Sequence, residues 1–410
     1  MKKLQILFLV CFCLNYVNAQ DDMITIGKTD SIQSKILNET RDIWIHVPDG
    51  DYDGVTKKKK YPVLYLLDGS SHFHSVVGMM HQLSPAKGNT ICPEMIIVGI
   101  LNTNRTRDLT PTKPSKKSSH LSRHMVENSG GGEAFISFIE KELIPYIDSK
   151  YATESYRVFI GHSLGGLTVM NTLIHKPELF NAYVAIDPSM WWDNKNLLRT
   201  IKNTKFDEKY SNKSLFLAVA NTMSKEMDTI KVKKDTTYAT RHIRAILELH
   251  SVLKKDILTN VSYKRKYYKD DTHGSIPLIA TYDALRYIFD FYQLNIMQDE
   301  LMNSENDVLG KVKKYYQRLS KEFGREIKPK QYYIEDIAYR FMEMKQFKKA
   351  EQFLKLNITN YPNDFYVYST LGDFYVTRGN TKKAIENFKK SNAIHKNTYA
   401  TDQLNKLQKK

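Results

Sequence analysis

The segment Arg157-Val158-Phe159-Ile160-Gly161-His162-Ser163-Leu164-Gly165-Gly166 decides the fold. Here an apolar run meets three glycines in six positions, in a 410-residue chain with only 18 glycines, and a helical pattern from Gly165 to His175 follows. Strand, G-x-S-x-G turn and helix in that order make a nucleophile elbow. The turn is too tight for side chains at its glycine positions, and it lifts Ser163 Oγ above the sheet edge.

Outward from this segment, residues 24–296 alternate short β-rich runs with longer amphipathic ones, the pattern of an α/β sheet domain. Strands are expected around Ile24–Ile26 and Ile43–Val47, then at Val63–Leu67, Met95–Ile100, Arg157–Gly161, Tyr183–Ile186, Leu215–Val219 and Ser262–Tyr268. Several are apolar on both faces, as buried parallel strands are. Helices are expected at Glu133–Tyr146, Gly165–His175, Thr236–Leu253 and Ala280–Tyr292.

From about Leu301 the sequence turns helical and charged, so a domain boundary is expected near residues 295–305. Ile337, Phe341, Ala350 and Leu354 are answered 34 residues later by Leu371, Tyr375, Ala384 and Phe388, with Pro362 where a unit would close. This period resembles tetratricopeptide repeats, in units 331–364 and 365–398. Two units bury little alone, so helices around Asp307–Phe323 and after Tyr399 are expected to cap them. The fold class is thus a doubly wound, mostly parallel α/β sheet over residues 20–296, followed by a small all-α helical-repeat domain over 297–410.

Residues 1–19 read as a signal peptide: basic Lys2 and Lys3, an apolar core Leu4–Val17, and Val17-Asn18-Ala19 as the cleavage site. Cleavage after Ala19 implies an exported protein, periplasmic or secreted. Cys92 is then the one cysteine left, and stability comes from packing rather than disulfides. No run of 18 apolar residues occurs, which excludes a membrane-spanning bundle. The formal net charge is +16, with 22 basic and 14 acidic side chains in residues 297–410. Apart from Lys57–Lys60 these charges are spread and no nucleic-acid motif accompanies them, so a solvated basic surface is expected and nucleic acid is not.

A serine hydroxyl is a weak nucleophile without an adjacent base. Of the five histidines after Ser163, His175, His242 and His250 fall in expected helices and His395 in the repeats. His273 alone sits in a loop after the last strand, Asp270-Asp271-Thr272-His273-Gly274-Ser275. The acid that orients it is expected to be Asp228, with Glu226 and Asp187 as rivals, each following a strand on the same side of the sheet. The oxyanion hole is expected from the amides of Leu164 and of Ser70, which follows the Asp68-Gly69 turn.

With Tyr65-Leu66-Leu67-Asp68-Gly69, Arg105-Thr106-Arg107-Asp108-Leu109-Thr110-Pro111, Gly161 to Gly166, Pro188-Ser189-Met190-Trp191-Trp192 and His273-Gly274-Ser275, residues 30–293 resemble the Putative esterase family of α/β-hydrolases. That family takes in esterase D, feruloyl esterase modules, siderophore esterases and mycolyltransferases. The resemblance implies Ser163 as nucleophile, His273 as base, and Asp68, Trp191 and Trp192 beside the substrate. No cofactor and no metal are implied. The substrate would be a small-molecule or polysaccharide acyl ester, with a catecholate trilactone siderophore as the sharper alternative. Asp187 stands where many relatives have Ser, which leaves the acid open. A rival reading makes the sheet domain a catalytically weak scaffold whose repeat tail binds a protein partner.

Between Ile100 and Glu133 lies a polar stretch of the length that compact domains keep for function. It carries Arg105, Arg107, Lys113, Lys116, Lys117 and Arg123 and ends in Gly130-Gly131-Gly132. It is expected to hinge on the glycines, cover the site and favour an anionic or catecholate-bearing ester.

Overall fold

The computed structural model describes residues 24–48, 59–87, 90–115, 121–256 and 260–409. The signal-peptide reading, Lys57, Lys58, Lys116 and Lys117 lie outside the described residues.

Eight strands form one sheet in the order β1-β2-β4-β3-β5-β6-β7-β8. They are β1 Lys28–Ser34, β2 Glu39–His46, β3 Tyr61–Leu66, β4 Ile96–Ile100, β5 Thr153–His162, β6 Ala182–Ile186, β7 Lys213–Ala220 and β8 Val261–Tyr268. β1, β2 and β4 pair antiparallel, and β3 through β8 run parallel. Every residue of β3, β4 and β6 is buried, because helices cover both faces of a parallel sheet. One core packs Tyr65, Phe159, Phe180 and the elbow helix Leu164–His175 on one face; a second packs Leu64, Val158, Val184 and the helix Ile276–Ile288 on the other. Each such buried side chain contributes about 1.5–3 kcal/mol.

Strand order reverses around β3, and the loops after β3, β5, β6, β7 and β8 leave the sheet at its carboxyl edge, where open α/β sheets bind ligands. Two details depart from expectation. The first strand lies at Lys28–Ser34 rather than Ile24–Ile26, because an edge strand that buries only Ile32 and Ser34 carries little apolar signal. The helix Gly69–Leu83 follows β3 directly and was hidden among polar residues, although Phe73, Val76, Val77 and Met80 form its buried face.

The C-terminal region is wholly helical: Val308–Phe323, Gln331–Glu343, Phe347–Asn360, Phe365–Thr377, Thr381–Ile394 and Thr398–Gln408. The second helix pair starts 34 residues after the first, at Phe365 after Gln331 and at Thr381 after Phe347. Close crossings explain the small residues: Ala350 and Ala384 are fully buried, and a Cβ on Gly372 would sit 2.8 Å from Phe388. The helix Val308–Phe323 belongs to both regions. Its Val308 and Val312 pack in the helical core, whereas Leu319 and Phe323 pack against Tyr156, Phe289 and Phe291 of the sheet region. Arg325 adds an ion pair to the buried Glu154 at the start of β5. None of the helices among the described residues is long and apolar enough to cross a membrane.

Candidate active site

Ser163 stands between β5 and the helix Leu164–His175 with φ 60° and ψ −114°, a backbone conformation that L-residues rarely hold. The neighbours enforce it. A Cβ on Gly161 would lie 2.4 Å from the backbone of Gly165, and one on Gly166 would lie 3.0 Å from Pro188. The turn is tied to the next strand by Ser163 N–H to Ile186 O at 3.0 Å and Ser189 N–H to Ser163 O at 2.9 Å. Those two bonds bracket Asp187, which also has a positive φ, 42°. The hydroxyls of Ser163 and the buried Ser189 meet at 3.3 Å.

Asp187 is fully buried and holds two imidazoles on one oxygen. His273 Nδ1 is 2.6 Å and His242 Nε2 2.8 Å from Oδ2, while Oδ1 accepts from Ala220 N–H at 2.9 Å. Burial alone would raise this carboxyl's pKa, but the bonds from His242 and His273 outweigh it and hold the group far below the usual carboxylate range. A carboxylate has no proton to give, so both ring nitrogens donate, which leaves Nε2 of a neutral His273 as an acceptor.

The expected acid is therefore corrected on position. Asp228 is exposed, and its Oδ1 accepts from the amides of Ile230 and Lys231 at 2.8 Å each, in a turn after β7 that does not carry it to His273. Glu226 is also exposed. The loop after β6, not the one after β7, carries the carboxylate that His273 bonds.

On the other flank, Asp68 follows β3 in a left-handed conformation, φ 53°, and caps the helix Gly69–Leu83. Arg105 grips its carboxylate through Nε at 2.6 Å and Nη2 at 2.9 Å, and Asn102 Nδ2 adds a third bond at 2.6 Å. Gly69 is required, since a Cβ there would lie 2.7 Å from the backbone of Gly99. Ser70 is exposed at the start of this helix, and Leu164 opens the elbow helix. First-turn amides lack intrahelical acceptors. Asp68 and Trp192 are not offered to a ligand: Asp68 is spent on Arg105 and Asn102, and Trp192 is buried with Nε1–H donated to Thr112 O at 3.0 Å. Trp191 is half-buried at the rim.

Among the described residues of the loop after β4, the three glycines are pinned rather than free to hinge. Gly130, Gly131 and Gly132 donate their amides to Thr110 Oγ1, Arg107 O and Thr110 O, and a Cβ on Gly131 would sit 2.7 Å from Arg107. Arg107 pairs with Glu39 and Asp108, Arg123 with Glu127, and Lys113 Nζ reaches Glu127 O. The described basic residues of this loop thus bond within it or tie it to β2 and to the turn after β3.

Sequence reading missed His242, Ser189 and the imidazoles of His72 and His162, whose rings stack edge-on at 6.0 Å. His242 was set aside as a helical residue. The helix in fact starts at Arg241, so His242 lies in its first turn at the carboxyl edge of the sheet; a later helix start was the signal available. His162 lies 4.5 Å from His273, ring to ring, and burial with the charges of His273 and His72 lowers its pKa to about 4. Asp187, His242 and His273 have donor atoms within 4.8 Å of one another. Separations of 2.6 and 2.8 Å are hydrogen bonds, shorter than the gap of about 3.3 Å between two ligands of one tetrahedral zinc, so this set fits a hydrogen-bonded relay better than a metal.

The model of a family described as "Putative esterase" matches residues 34–238. The chain belongs to that family. It is 36% identical over 148 residues to the ferri-bacillibactin esterase BesA of Bacillus subtilis, covering 34% of this chain and 51% of that one. Against the siderophore enterobactin esterase of Emericella nidulans it is 27% identical over 162 residues, covering 36% and 52%. The chain spans about half the length of these curated relatives. An IroE-like serine hydrolase from Shewanella oneidensis, known by crystal structure, is 30% identical with a TM-score of 0.63, over 81% of this esterase-family chain and 98% of its own.

Proposed function

We propose that the protein is a serine hydrolase of carboxylic esters, working through Ser163, His273 and Asp187. The observation that carries this is the shared placement of Ser163 and Asp187, both at positive φ and joined through the backbone of Ile186 and Ser189, with His273 bonded to Asp187. His273 Nε2 takes the Ser163 proton as Oγ attacks the acyl carbon. Asp187 keeps the imidazole in the Nδ1–H tautomer and stabilises the imidazolium. The amides of Leu164 and Ser70 receive the oxyanion. The imidazolium returns its proton to the departing alcohol; water, deprotonated by the same ring, then releases the acyl group. Replacing Ser163 with Ala is expected to lower p-nitrophenyl butyrate turnover at least about a thousandfold and to abolish fluorophosphonate labelling. Wild-type turnover in that variant overturns the reading.

The relatives favour a siderophore ester as the substrate, since two of them are named for siderophore esters. Hydrolysis of a catecholate trilactone with kcat/KM above that of p-nitrophenyl butyrate supports this narrower reading; a lower value removes it.

A further inference from the structure

We propose that Arg241, stacked on Trp191 and Tyr238, forms a subsite beside Ser163 for a carboxylate carried by the ester substrate; this rests on the hydrolase reading above.

The Arg241 guanidinium carbon lies 4.5 Å from the centre of the Trp191 ring and 3.3 Å from that of Tyr238. Both attachments lead to the reacting groups. Trp191 comes two residues after Ser189, whose hydroxyl meets that of Ser163, and Arg241 immediately precedes His242, which bonds Asp187. The two elements are also clamped together: Lys195 and Lys202, on the segment that Trp191 leads into, both bond Glu248 at 2.6 Å on the helix that Arg241 opens.

Arg241 is charged but uncommitted. Arg105, Arg107 and Arg123 each pair with a carboxylate, whereas among the described residues Arg241 pairs with none. The one described hydrogen bond of its guanidinium is a 3.4 Å contact from Nη1 to Tyr238 O, and its buried Nε has no acceptor among the described residues. Leaving a buried donor unmet is unfavourable unless a ligand supplies the acceptor. A guanidinium whose plane is fixed by aromatic rings presents its N–H edge as a fork, which matches the two oxygens of a carboxylate. The helix Arg241–Asp256 adds the partial positive charge of its N-terminus at the same place.

The test compares p-nitrophenyl hydrogen glutarate, which carries a carboxylate, with neutral p-nitrophenyl butyrate on the full chain. Arg241→Gln is expected to lower kcat/KM for the glutarate ester about tenfold more than for the butyrate, chiefly through KM, and the difference should shrink at high salt. Arg241→Lys, which keeps the charge and loses the fork, should fall between. Equal losses on both esters would mean that Arg241 only props Trp191, and no loss on either would mean that it is idle; each overturns the subsite. Glutarate binding, read from tryptophan quenching, separates this proposal from the reading beneath it. If wild type hydrolyses neither ester, the hydrolase reading fails, yet about tenfold tighter glutarate binding than in Arg241→Gln still supports the subsite, and equal binding removes it.

Discussion

His242 donates its Nε2–H to Asp187 across 2.8 Å, on the same oxygen that receives His273 Nδ1–H at 2.6 Å. One buried carboxylate therefore serves two imidazoles, whose rings meet edge-on at 4.9 Å. The second donor draws charge from the carboxylate and fixes its rotamer. His242→Phe removes that donor and should lower kcat at neutral pH about three- to tenfold with little change in KM, whereas His242→Gln, which can still donate to Asp187, should recover most of the loss. Equal losses in the two variants would assign His242 to packing alone.

Asp187 and Asp228 should separate sharply. Asp187→Asn leaves the geometry in place but favours the wrong imidazole tautomer, and kcat should fall by about 10³–10⁴. Asp228→Asn alters an exposed turn and should stay within about twofold of wild type. Steady-state rates on p-nitrophenyl butyrate decide it, and comparable losses in the two variants would contradict the placement.

Arg105 holds Asp68 where β3 turns into the helix that carries Ser70. Arg105→Ala leaves a buried carboxylate with Asn102 alone. The cost should be about 2–3 kcal/mol, below that of a fully buried pair because Arg105 itself reaches solvent. Chemical denaturation measures the stability, and a kcat loss exceeding the KM change would show that the oxyanion loop has moved.

His162 makes the fold sensitive to acid. Burial, with the charges of His273 and His72, holds it at about 4, against about 6.5 in an unfolded chain. Between those values the unfolded state binds the proton and the folded state does not, so stability rises with pH across this window. The contribution is present in full above pH 6.5 and is lost by about pH 4, on the order of 3 kcal/mol. His162→Phe should lose less Tm between pH 7 and pH 4.5 than wild type does; an identical drop would acquit His162.

The helix Val308–Phe323 joins the two regions through Leu319 and Phe323. Phe323→Ala opens a void against Tyr156 and Phe291 and should cost about 3–5 kcal/mol. A chain ended near Leu294 exposes the same surface and should unfold at lower temperature than one ended after this helix. Equal Tm values would support the expected boundary at residues 295–305.

Much of this was legible along the chain, because its causes are local. A parallel strand buried on both faces needs apolar residues throughout, a turn as tight as Gly161–Gly165 needs glycine at its ends, and a helix crossing needs Ala350 and Ala384 small. Those demands fall on neighbouring residues, so they leave a pattern that reads directly as Ser163 on an elbow and a sheet followed by helices. His273 was reachable by elimination among loops. The partner of His273 was not. Asp187 lies 86 residues from His273 and 55 from His242, and Asp187, Glu226 and Asp228 all follow strands on one side of the sheet. Only the strand order and the turn at Asp187 decided which carboxylate is buried beneath the imidazoles, since hydrogen bonds act over about 3 Å and bear no relation to distance along the chain. The same holds for the basic residues. Their charge is in the sequence, but tertiary contacts decided that Arg105 and Arg107 are spent on carboxylates while Arg241 is not.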